Sequence, residues 1–248
     1  MEAAPIVNYQ EEFARIEAEV DRGNTDLQRL GFWALVRKVK VEARLAAHWA
    51  DVVGRIDRQA FQKRVRPTFP VWLGNGVLLV GTGVVAAATA VAVRLAHGPS
   101  ETGGTVAGAL ALAAAGGLSV TLHCPAHWLV GRLVGIRFIR YFIGGPLKVT
   151  PGIKADYATY LRVDPGARAA MHASGAIASK IAPFAVFAPV YLAHRAAGYE
   201  LFPEWSLWGI LGLGILQILT DVIWSRKKSD WKKVGRERRL ARAQAANR

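Results

Sequence analysis

His123 and His127 stand four residues apart in the segment HCPAH. On a helix that spacing puts both imidazoles on one face. Two imidazoles so placed can reach one tetrahedral metal ion, and a carboxylate from elsewhere completes three ligands with a fourth position open. The same pair could instead be hydrogen-bonded within a helix bundle. The setting favours function, because residues 105–136 are otherwise apolar except for Arg132, and ionisable groups in a membrane-spanning segment are costly. Pro125 lies between the histidines and removes the helix bond to the Thr121 carbonyl, which predicts a loosened turn beside a polar cavity.

Depth along the chain picks out the carboxylate. His123 lies 18 residues past Thr105, and Asp221 lies 17 residues past Glu204 in a later apolar stretch. If both stretches enter from the outer side, a rise of about 1.5 Å per residue sets the two side chains at one level. His123, His127 and Asp221 are therefore the predicted ligands, and Zn²⁺ suits two imidazoles and a carboxylate. Lys180 competes with this arrangement. An Asp221–Lys180 ion pair would leave a polar His/Asp/Lys cluster and no metal.

The elements that must position these groups are helices in a membrane. The chain has 248 residues, of which 52% are hydrophobic, yet carries 32 Lys+Arg against 18 Asp+Glu, a net charge of +14. Its mean hydropathy is +0.20. Greasiness and charge must be segregated, which excludes intrinsic disorder, and Cys124 as the single cysteine excludes a disulfide framework. Four spans are expected, at about 71–96, 105–136, 170–194 and 205–225, each near the roughly 20 residues needed to cross a bilayer. The predicted fold is an all-α polytopic membrane protein. A helical segment over 1–66 precedes the membrane domain at 67–225, and a basic tail covers 226–248. Gly144, Gly145, Pro146, Pro151 and Gly152 predict a short membrane-associated strand or loop region between the second and third spans.

Basic residues cluster before the first span, between the second and third, and after the fourth. The connections HGPSETGG and around 195–204 are nearly free of them. That alternation predicts an integral cell-membrane protein with both termini in the cytoplasm. The basic tail reads as an anchor for anionic lipid rather than a nucleic-acid contact, because its charge flanks an apolar span. Trp231 in SDWKK would sit at headgroup level. Leu35, Val39, Trp49, Val52, Val53 and Ile56 form one apolar stripe in the first 66 residues and predict two or three packed helices.

The segment HCPAHWLVGRLVGIRF resembles the HExxH helix and following GI stretch of the site-2 protease family of intramembrane zinc metalloproteases. The resemblance covers about residues 105–235. A loop follows, YFIGGPLKVTPGIKADYATYLRV, like the family's substrate-presenting region. Gly175 to Ser179 (GAIAS) then has the spacing of its G-x-x-x-N element. Asp221, in LTDVIWS, matches the family's aspartate ligand but lacks its glycine. The resemblance implies a zinc site with Gly175 and Ser179 beside it. His172, near the start of the third span, is expected around the site or on its substrate side, or else as a helix-end polar group, and Lys180 stands near the same place. The family's general-base glutamate is replaced by Cys124, and its asparagine by Ser179. Asp156, the nearest other acid, is expected to face water. These departures imply a catalytically degenerate relative that binds membrane-protein or peptide segments. An active zinc protease with another proton donor, and a scaffold with a His/Asp/Lys cluster, stay open as alternatives. Membrane lipid and a transmembrane substrate or partner protein are the expected partners.

Overall fold

The computed structural model describes residues 8–98, 101–144, 150–223 and 229–246, with the backbone alone at 101, 102, 150 and 221–223. The elements run α1 (Tyr9–Asp21), α2 (Phe32–Val39), α3 (Ala43–Arg64), β1 (Thr68–Phe69), α4 (Val71–Ala96), α5 (Glu101–Leu133), β2 (Phe138–Gly144), β3 (Thr150–Ala155), α6 (Tyr157–Arg162), α7 (Pro165–Ala197), α8 (Glu204–Ile223) and α9 (Asp230–Ala246). The chain divides into two compact units. One holds residues 1–69, 131–168 and 237–248, the other 70–130 and 169–236.

In the first unit, helical spacing selects what is buried. Phe13, Ile16 and Val20 turn inward from α1, and Val53, Ile56 and Ala60 from α3. Leu35 and Val39 of α2 are buried, whereas Trp49 and Val52 stay half-buried. The Phe13 ring packs 5.1 Å from Trp49 and edge-on to Phe32. The proline- and glycine-rich stretch after α5, of which Gly145 and Pro146 lie outside the described residues, supplies β2 and β3, which join β1 in an antiparallel sheet in the order β1-β2-β3, with Arg140 opposite Lys154 and Thr68 opposite Phe142. Asp156 is buried, not water-facing. It caps α6 by accepting from the Ala158 amide at 3.3 Å and takes a 3.2 Å bond from Arg58. An acid already committed to a cap and an ion pair is not a spare base.

In the second unit, α4, α5, α7 and α8 share a core of small and branched residues, among them Ala92, Ala107, Ala111, Val186, Val190 and Ile210. Alanines at this spacing let helix backbones approach closely, the packing that works in lipid. The opposite faces are apolar and exposed: Trp72, Val77, Val80 and Val84 on α4, Leu192 on α7, Trp208 and Leu216 on α8. Three helices, Val71–Ala96, Gly103–Leu133 and Pro165–Ala197, are long and apolar enough to cross a membrane. The fourth expected span is covered by α8, whose shorter apolar stretch runs Glu204–Thr220.

The second span was expected to reach residue 136, but α5 stops at Leu133. Gly135 adopts φ 93°, its amide bonds the Arg132 carbonyl, and the Ile136 amide bonds the Gly131 carbonyl at 2.8 Å. This paired closure of a helix end needs the left-handed residue that glycine supplies without penalty. The GR-x-x-GI stretch is thus a helix stop that drops Ile136 into the core of the first unit. Pro125 does not interrupt α5.

Candidate metal centre

The centre lies wholly within the second unit. His123 and His127 project from one side of α5 toward α7, their ring centroids 4.7 Å apart. The backbone of α7 fixes both rings. His127 Nδ1 lies 2.7 Å from the Met171 carbonyl oxygen, and His123 Nδ1 lies 3.0 Å from the Gly175 carbonyl and 2.8 Å from Ser179 Oγ. A carbonyl oxygen only accepts, so each Nδ1 must carry the proton. Ser179 Oγ donates onward to the Gly175 carbonyl at 2.8 Å, which leaves its lone pairs for His123.

That tautomer sends both Nε2 lone pairs the other way, and they meet a carboxylate. Asp230 Oδ2 lies 3.2 Å from His127 Nε2 and 3.4 Å from His123 Nε2. Ligand bonds of 2.0–2.1 Å in a tetrahedron imply edges of about 3.3 Å, which the two nitrogen–oxygen distances match. The three ligand atoms all lie within 4.8 Å of one another. Asp230 opens α9 behind Ser229, whose Oγ accepts from the Lys232 amide, so a carboxylate stands where the helix dipole favours one. Its other oxygen accepts from Lys233 Nζ at 2.8 Å, leaving one oxygen for the histidines. Burial works to raise the Asp230 pKa, and the Lys233 ammonium works to lower it.

Two acceptor nitrogens facing an ionised oxygen repel one another unless a cation lies between them. One divalent ion between them could satisfy all three groups. His123, at 34%, is the more exposed ring and marks the open side.

No family model, curated protein or solved structure matches the chain. The chemistry of the site therefore stands on these residues alone.

The acid of the described cluster is Asp230, nine residues beyond the predicted Asp221, whose side chain lies outside the described residues. Depth counting stops at the end of a span, and Asp230 belongs to the helix after α8. Its neighbour Trp231 packs against Ala169, Ala173 and Val234, which seats the first turn of α9 on the start of α7. Gly175 lies directly under the His127 ring. The His172 ring flanks His127 at 6.4 Å between centroids. Cys124 is buried, and Lys180 is half-buried one residue past Ser179. Sequence reading also missed Ser174, whose one hydroxyl proton lies within reach of the Met171 carbonyl (2.7 Å) and the Ala126 carbonyl (3.1 Å), the shorter contact bracing the carbonyl that holds His127.

Proposed function

We propose that this chain is an integral membrane protein that holds one zinc ion between His123, His127 and Asp230. The observation that carries the reading is the convergence of two Nε2 lone pairs on Asp230 Oδ2, enforced by carbonyls behind each ring. Zinc fits this donor set, needing no redox partner and accepting nitrogen and oxygen at tetrahedral edges. When bound it would act as a Lewis acid.

In this reading the chain resembles the site-2 protease family in its HxxxH helix and has lost the family's peptidase chemistry. Cys124 replaces the general base and is 1% exposed, and among the described residues the acid at the centre is the ligand Asp230. The remaining role is to bind membrane-embedded peptide segments at the open His123 side. Four spans with both termini cytoplasmic accord with the placement of Lys and Arg along the chain.

Cobalt substitution tests the proposal. The Co²⁺ protein should show the strong visible absorption of a four-coordinate ion, lost in His127→Ala, and a reconstituted single-span peptide should stay intact. Weak six-coordinate absorption would overturn the site. Cleavage that depends on His123 would overturn the loss of peptidase chemistry.

A further inference from the structure

The charge on α9 is sorted by face. At about 100° per residue, Asp230, Val234 and Glu237 fall on one side of the helix, while Lys232, Arg236, Arg239 and Arg242 fall on the other. The structure bears this out: Val234 and Glu237 are buried, and the four cations are exposed, as is Arg238 at the margin. Both acids of this helix's inner side are engaged, Asp230 with the histidines and Lys233, Glu237 with Arg168, Lys40 and Tyr160. Among the described residues no carboxylate pairs with any of the outward cations.

The place of α9 in the chain says what such a face meets. It begins seven residues after α8 ends at Ile223. Asp230 touches His127, which lies six residues before the end of α5 at Leu133, or about 9 Å along the axis. The first turn of α9 therefore lies close to the end of an apolar helix, where a bilayer gives way to its headgroups. The outward face carries no large apolar side chain that could insert, so its attraction is electrostatic, worth about fivefold in partitioning for each Lys or Arg near an anionic surface.

We infer that the outward face of α9 (Lys232, Arg236, Arg239 and Arg242) lies on anionic phospholipid headgroups, and that this contact holds Asp230 against the two histidines. The same helix presents cations to lipid and a ligand to the metal, so the two contacts must support each other by linkage. The second half of this inference rests on the zinc reading above; the first does not.

The full chain in nanodiscs separates them. Discs of phosphatidylcholine alone are compared with discs containing phosphatidylglycerol, for the wild type and for the double variant Arg236→Glu/Arg239→Glu. Hydrogen exchange over residues 232–242 should be slower in the anionic discs for the wild type and not for the variant. Zinc retention against a chelator should be about fivefold or more stronger in the anionic discs, again only for the wild type. Equal exchange in both lipids overturns the inference, whatever the zinc result. Protection by anionic lipid with no zinc in either disc keeps the lipid face and refutes the metal site. Protection with zinc retention unaltered by lipid refutes the coupling. Protection that appears only on adding RNA or a soluble acidic protein would assign the face to another partner and also overturns the inference.

Discussion

A Cβ on Gly175 would stand 2.3 Å from His127 Nε2. The imidazole lies flat against α7 because that residue has no side chain. Gly175→Ala should therefore push the ring off its line to Asp230 while leaving the helix intact, since alanine favours helix over glycine. Zinc retention should fall at least tenfold, the range seen when groups that orient a ligand are disturbed, with unchanged helix content by circular dichroism. Retention equal to wild type would mean that His127 is not a ligand.

Ser179→Ala removes one of two acceptors at His123 Nδ1 and leaves the Gly175 carbonyl. A smaller loss is expected, about tenfold or less, measured by the same chelator competition. A loss as large as that of His123→Ala would show that the hydroxyl, not the carbonyl, sets the tautomer.

The pair His123 and His127 is legible in the sequence, because a four-residue spacing has one meaning on a helix. The apolar spans are legible for the same reason, since length and composition decide them. The position of the third ligand is not. Asp230 reaches the histidines only because the chain leaves α8 and starts a new helix whose first turn packs through Trp231 on Ala169 and Ala173. No periodicity within one span reports that turn. The grip of Met171 on His127 is equally hidden, because a backbone carbonyl carries no sequence signature. The sheet was foreseen only as extended chain, since register depends on partners such as Thr68 that lie far away in sequence.

Native peptidase activity should be absent or at background. Losing general acid–base help costs about 10²–10⁴-fold, and under the proposed resemblance to site-2 proteases buried Cys124 stands where their glutamate would act. Cleavage of a reconstituted membrane peptide should rise in Cys124→Glu if the enlarged side chain is accommodated, as judged by retained zinc. Robust cleavage by the unmodified chain would contradict the proposed loss of chemistry.

The first unit offers a prediction on stability. Glu237 is buried and meets Arg168 Nε at 2.8 Å, the Tyr160 hydroxyl at 3.0 Å and the Lys40 ammonium. Arg168 itself is 1% exposed. Removing the acid strands a buried guanidinium, and breaking such a pair typically costs about 3–5 kcal/mol. Glu237→Ala should lower the unfolding free energy extracted from a detergent denaturation series by that amount. A change below about 1 kcal/mol would place the cluster among weak surface pairs.

Metal content per chain, determined by elemental analysis of the purified protein, tests the central claim most directly. About one zinc per chain is predicted for the wild type, with His123→Ala, His127→Ala and Asp230→Ala each reducing it to background. Negligible metal in the wild type, or full retention in Asp230→Ala, would contradict the account.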